Sequence, residues 1–119
     1  MLIGTMLILV GILHNAVAVI VYWEPLVAIL HDGIIASVPD VGDRAAAFWF
    51  TITGLVFLLL GACVRDLERQ GLALPRSLAP GLLVLTLAIV IPMPSSGAWI
   101  FLPIAIVTHR RWKQRTQPS

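Results

Sequence analysis

At 119 residues the chain has the length of one domain, and it is 59% hydrophobic and 12% charged with a mean hydropathy of +0.96. Soluble domains carry roughly 25% charged residues, so this composition excludes an ordinary water-soluble fold and leaves little room for a second module. A formal charge of +2 and a pI near 9.3 would suit nucleic acid if the bases shared a polar surface, but they flank apolar runs, and no nucleic-acid partner is expected.

The first element is the uncharged run Met1–Trp23. As a helix rising ~1.5 Å per residue it crosses the ~30 Å hydrocarbon core of a bilayer. Ala16-Val17-Ala18 has the look of a signal-peptidase site, yet no Lys or Arg precedes the apolar stretch and apolar residues continue beyond it, so a retained helix is expected. At 100° per residue, Ile3, Gly4, Leu7, Gly11, His14, Asn15, Ala18, Val21 and Tyr22 share one face, and the remainder is mostly Leu, Ile and Val. The small and polar face is expected to meet other helices. With Met1 at the inner boundary, His14 lies ~20 Å up the core, where an ionisable group is costly and often functional. Its default state is a neutral imidazole hydrogen-bonded to a neighbouring helix, with Asn15 making a packing hydrogen bond.

Glu24-Pro25 is expected to end this helix. Leu26-Val27-Ala28-Ile29-Leu30 is too apolar for a free loop and too short to span, and reads as a re-entrant or interfacial helix closed by His31-Asp32-Gly33. Asp40 and Asp43 read as solvated acids, Asp43 in a helix-capping position.

The second span is expected over about 44–64, where Ala47, Gly54 and Gly61 recur every seven residues as a groove for close helix contact. Cys63 near its end is the sole cysteine, with no metal-ligand spacing around it, and reads as a packed thiol. The run Leu78–Thr108 has 31 residues, too many for one span, and Pro92-Met93-Pro94-Ser95-Ser96-Gly97 divides it into two short helices at about 76–93 and 96–112.

Seven of the eight basic residues lie at Arg65–Arg76 and Arg110–Arg115, which places both segments and both termini in the cytoplasm; the Glu24–Arg44 loop, with four of the six acids, lies outside. Trp23, Trp49 and Trp99 then fall at the outer interface and Trp112 at the inner one, as membrane-belt residues. The expected fold is an all-α, integral membrane four-helix bundle in the cell (inner) membrane, with the short interfacial helix in its outer loop.

Five segments in order, Gly11-Ile12-Leu13-His14, Glu24-Pro25-Leu26, Ala47-Phe48-Trp49-Phe50, Leu67-Glu68-Arg69-Gln70-Gly71 before Leu74-Pro75, and Met93-Pro94-Ser95-Ser96-Gly97-Ala98-Trp99, resemble a bacterial family of small four-helix membrane proteins whose function has not been assigned. The resemblance spans nearly the whole chain and implies the fold and the membrane location, without an activity or mapped residues. A looser likeness to small DoxX-type membrane proteins extends to size and helix count alone.

No catalytic, metal or nucleotide motif stands in the sequence, and no cofactor is expected. A bis-histidine haem would need two levelled ligands, whereas His14, His31 and His109 fall at different depths. Three function classes stay open. The first is a protein that binds or organises a membrane partner, a second copy or a lipophilic ligand in the bilayer. The second is an isomerase- or cyclase-type enzyme on a lipophilic substrate, with His14, Glu24, His31 and Asp32 as candidate acids and bases and Asn15, Tyr22, Ser95 and Ser96 as candidate ligand contacts. The third is a dimeric transporter.

Overall fold

The computed structural model describes residues 2–116. The described residues are helical and contain no strand: α1 (Leu2–Val21), α2 (Trp23–His31), α3 (Asp43–Arg69), α4 (Leu78–Val90), a 3₁₀ turn (Gly97–Ile100) and α5 (Phe101–Thr116). Two helices, α1 and α3, are long and apolar enough to cross a membrane. Only 33% and 28% of their most apolar windows are buried. Most of their hydrocarbon therefore faces outward, Leu9, Ile12, Leu13 and Ile20 on α1 and Leu55, Val56 and Leu59 on α3, the reverse of a helix in a water-soluble core.

Several boundaries differ from those the sequence suggests. The helix expected to run to Trp23 ends at Val21, and the break falls at Tyr22, whose φ and ψ of −110° and 28° leave the helical well. Proline does not make that break. Pro25 is the third residue of α2, where an amide N–H has no intrahelical partner, so its ring costs no hydrogen bond there. Pro80 and Pro103 occupy the same third position in α4 and α5. The short apolar helix is longer than the five residues expected and has no buried residue.

The second long helix does not stop at Val64; it continues through Arg65, Asp66, Glu68 and Arg69. Those residues are good helix formers, so the end of the apolar run is not the end of the helix. It ends at Gly71 (φ +70°), where Gly71 N–H reaches the Glu68 carbonyl and Leu72 N–H the Leu67 carbonyl, the double bond of a Schellman cap. The same pair closes α2 at Gly33 (φ +90°), with Gly33 to Leu30 and Ile34 to Ile29. Asp43 is the first residue of α3 and not its cap; the Gly42 carbonyl accepts the Ala46 N–H. An acid in the first turn still complements the helix dipole. Cys63 is exposed, which corrects the packed-thiol reading. The final run folds as two helices, but α4 and α5 are separated by a wider break than Pro92–Gly97, because the 3₁₀ turn holding Trp99 follows it. Trp99 closes that break by donating its indole N–H to the Pro94 carbonyl at 2.9 Å.

The chain forms two compact units. One is Leu7–Leu60. Here the small face of α1 meets the Ala47–Gly54 stripe of α3. A Cβ on Gly11 would stand 2.9 Å from the Gly54 carbonyl oxygen, and one on Gly54 would run into the Asn15 amide. Ala18 and Ala47 are also fully or almost fully buried. Val21, expected on this face, is exposed, because the helix ends there.

The other unit joins the first turn of α1 to the chain from Gly61 onward. A Cβ on Gly4 would lie 2.6 Å from Arg65 Cα, so the two helix backbones touch there as well. α4 buries Ala79, Leu82, Thr86 and Val90, and α5 buries Phe101, Ile104, Ala105 and Thr108, both at helical spacing. The hydroxyls of Thr86 and Thr108 donate to the carbonyls of Leu82 and Ile104 at 2.7 Å. Each is satisfied within its own helix, so both pack as apolar side chains.

Candidate functional site

In the Leu7–Leu60 unit the His14 ring lies flat on Phe50, with centroids 3.8 Å apart and planes 10° from parallel, and meets the edge of Phe57 at 5.9 Å. Tyr22 flanks the same Phe50 ring at 5.5 Å. The residues α1 places on one face thus form an aromatic cluster with α3. His14 makes a hydrogen-bonding contact to the Phe50 backbone on α3, as expected of it, while its Nε2 and the Asn15 Oδ1 are buried with no hydrogen-bond partner among the described residues. Asn15 acts instead through contact with Gly54.

The loop after α2 gathers a different set. The Arg44 guanidinium pairs with Asp32 at 2.6 Å and donates to the Ser37 carbonyl at 3.0 Å. His31 Nδ1 lies 3.5 Å from the other Asp32 oxygen. The hydrogen bond from Arg44, then the one from His31, hold the Asp32 carboxyl below its ordinary range. This arrangement closes the segment from Asp32 to Arg44, in which Ile34 (φ +69°) and Ala36 (φ +53°) take left-handed backbone conformations unfavourable for residues with a Cβ. Glu24 is exposed in the first turn of α2. Among the expected candidates His14, Asn15, Tyr22, Glu24, His31 and Asp32 belong to this unit; Ser95 and Ser96 belong to the other. Ser95 is exposed, and Ser96 Oγ is buried with no partner among the described residues.

The second unit holds a groove of about 620 Å³ between the first turns of α4 and the face of α5 from Leu102 to Trp112. That size is within the 300–1,000 Å³ usual for small-molecule sites. Ala79, Leu83, Leu102, Ala105 and Ile106 give it an apolar floor. Its polar rim is basic: Arg76, His109 and Arg110 line it, and no Asp or Glu does. The Arg76 guanidinium lies over the Trp112 ring, 5.6 Å from its centroid. Trp112 also lines a small second pocket with Glu68, Ala73, Leu74, Arg111 and Arg115. The Glu68 side chain is almost fully enclosed; it accepts hydrogen bonds from the Gly4 and Ile3 N–H groups at 2.7 and 3.3 Å and lies 3.5 Å from Arg111.

In the sequence Arg76 and Arg110 belong to two separate basic segments, and their spacing does not by itself join them into a site. The available signal was that they bracket one interrupted apolar run, so any hairpin across Pro92–Gly97 brings its two ends together. Glu68 stands in the Leu67–Gly71 segment, whose sequence does not show which group it meets. Among the described residues no three His, Cys, Asp or Glu side chains are grouped to hold a metal ion.

An all-helical chain with two membrane-length helices and an apolar, base-rimmed groove is the class that fold and site define. The chain belongs to the family of unknown function DUF6463, whose pattern matches residues 1–115. No curated protein and no solved structure shows significant similarity to it.

Proposed function

We propose that this is a small multi-pass membrane protein of the cell (inner) membrane that binds a lipophilic ligand in the groove between α4 and α5. The observation that carries the reading is the groove itself, ligand-sized and walled by hydrocarbon from α4 and from the apolar first half of α5. The outward-facing hydrocarbon of α1 and α3 supports the membrane setting. The distribution of bases supports a cytoplasmic placement for both termini and for the segment before α4. The α4–α5 hairpin then enters from the cytoplasmic side and returns to it, giving four crossings in all.

One observation favours a variant of this topology. The thirteen residues of α4 rise about 20 Å, less than the ~30 Å core. A re-entrant hairpin would also return the basic tail to the cytoplasm. A cysteine at Ser95, in a Cys63→Ser background, separates the two: labelling of intact cells by an impermeant maleimide means a full crossing, and labelling only after lysis means re-entry. Asp40→Cys serves as the external reference. Ser119→Cys, which lies outside the described residues, serves as the internal one.

The ligand reading is tested by extracting the purified protein and measuring bound apolar molecules by mass spectrometry. Leu83 and Ile106 line the groove and are exposed, so Leu83→Trp/Ile106→Trp fills it without disturbing the buried contact. Loss of co-purified lipophile from that variant is expected; unchanged content would end the proposal. A second reading, acid–base chemistry on a lipophilic substrate, rests on the partnerless Nε2 of His14 between two aromatic rings.

A further inference from the structure

We propose that the occupant of the α4–α5 groove is an anionic phospholipid, its acyl chain on the apolar floor and its phosphate on Arg76 and Arg110. This rests on reading the groove as a ligand site and goes further by naming the ligand's charge and class. The groove is chemically one-sided. Its floor offers hydrocarbon, and its charged rim is wholly basic. A free inorganic anion would leave the floor unused, and a neutral lipophile would leave the rim unpaired; a molecule with one anionic head and an apolar chain satisfies both.

The surroundings keep that rim free of internal competition. Glu68, the acid beside the neighbouring pocket, is turned to the first N–H groups of α1 and to Arg111. Trp112 lines both pockets and stands at their boundary. Arg110 makes no ion pair among the described residues, whereas Arg44 and Arg111 each have one. Arg76 is held over the Trp112 ring. The indole ring accepts no in-plane hydrogen bond from it, so the N–H fork of Arg76 stays available for phosphate oxygens. Tryptophan and arginine together are also the residues that settle at headgroup depth, with the apolar floor continuing toward the chains.

The test is native mass spectrometry of the full chain in mild detergent, titrated with dioleoyl phosphatidylglycerol or dioleoyl phosphatidylcholine. The two probes share acyl chains and differ in headgroup charge. The parent protein is expected to hold the anionic lipid roughly thirtyfold more tightly, since each of the two bases near the headgroup contributes about 1 kcal/mol. Arg76→Gln/Arg110→Gln should reduce that preference to about twofold or less, weakening phosphatidylcholine, whose phosphate charge is offset by choline, much less than phosphatidylglycerol. Arg76→Lys/Arg110→Lys keeps the charge and should restore much of it, which separates charge from misfolding. Equal binding of both lipids by the parent, or a preference that survives the Gln pair, overturns the inference. The groove-filling Leu83→Trp/Ile106→Trp variant tells the two claims apart. If it weakens both lipids while the parent shows no preference, the groove stands as a lipophile site and the anionic assignment falls. If it weakens neither, the site reading itself falls.

Discussion

The carboxylate of Glu68 caps the amino-terminal turn of α1, accepting the Gly4 N–H at 2.7 Å across 64 positions of sequence. The first N–H groups of a helix have no partner within it, and a buried acid at that end also meets the positive pole of the helix dipole. A Cβ on Gly4 would stand 2.6 Å from Arg65 Cα, so the backbones are already in contact where the cap forms. The Arg111 guanidinium, 3.5 Å from the same carboxylate, ties α5 to this junction.

Removing that cap should be costly. Glu68→Ala leaves the Ile3 and Gly4 N–H groups without their acceptor and is expected to lower stability by about 1.5–3 kcal/mol. Glu68→Gln retains an acceptor and should lose less. Chemical unfolding in detergent, followed by circular dichroism, checks the order, and equal stability of Glu68→Ala and the parent would remove the cap from the account.

Gly54 should tolerate nothing larger than hydrogen. Its Cβ position is already taken by the Asn15 amide, so Gly54→Leu should destabilise by more than Leu58→Ala, with overpacking alone costing about 1–3 kcal/mol. Because the obstacle is one side chain, Asn15→Ala should recover part of the loss in Gly54→Ala. No recovery in the double variant would mean that the α1–α3 contact at this level is set by something other than Asn15.

The His14 ring is held by stacking, and its Nε2 has no partner among the described residues. His14→Phe preserves ring-on-ring packing and removes the buried nitrogen, so its stability should stay within about 1 kcal/mol of the parent. His14→Leu gives up an aromatic pair worth about 0.5–1.5 kcal/mol. A variant series in which Gln is the most stable replacement would make the hydrogen-bonding contact to the Phe50 backbone, and not the stacking, the stronger tie. If either folded variant also loses a cellular phenotype or its bound ligand, the acid–base reading gains the residue it needs.

The Asp32–Arg44 pair predicts a pH dependence confined to its loop. Arg44, and after it His31, lower the Asp32 carboxyl from its ordinary value of 3.8. A depressed carboxyl stabilises the folded loop above its unfolded value and loses that contribution as pH falls through the lower folded value. Hydrogen exchange of the amides between Gly33 and Ser37 should therefore be faster in Asp32→Asn than in the parent at neutral pH. The difference should shrink only below 3.8. Equal exchange in Asp32→Asn and the parent at neutral pH would remove the Asp32–Arg44 pair from the account.

Hydropathy and helical period are properties of neighbouring residues, and what depends on them could be read directly from the chain. That covers the two long apolar helices, the short helix between them, the division of the final run at Pro92–Gly97, and the small face of α1 from Gly4 through Gly11 to Ala18. The stripe Ala47–Gly54–Gly61 was legible for the same reason, since spacing alone puts those residues on one side of α3. Pairings between distant groups were not. Nothing near Glu68 in sequence shows that it will hold the Gly4 N–H, and nothing near Asp32 selects Arg44 over the other bases. The end of α3 was misplaced because an apolar run reports where hydrocarbon stops, whereas a helix stops only where its last carbonyls find a cap, here at Gly71. The groove was decided by tertiary structure alone. Its floor comes from two helix faces and its rim from residues at opposite ends of a hairpin, and the space between them exists only once α4 and α5 have packed through Leu82, Thr86, Ile104 and Thr108.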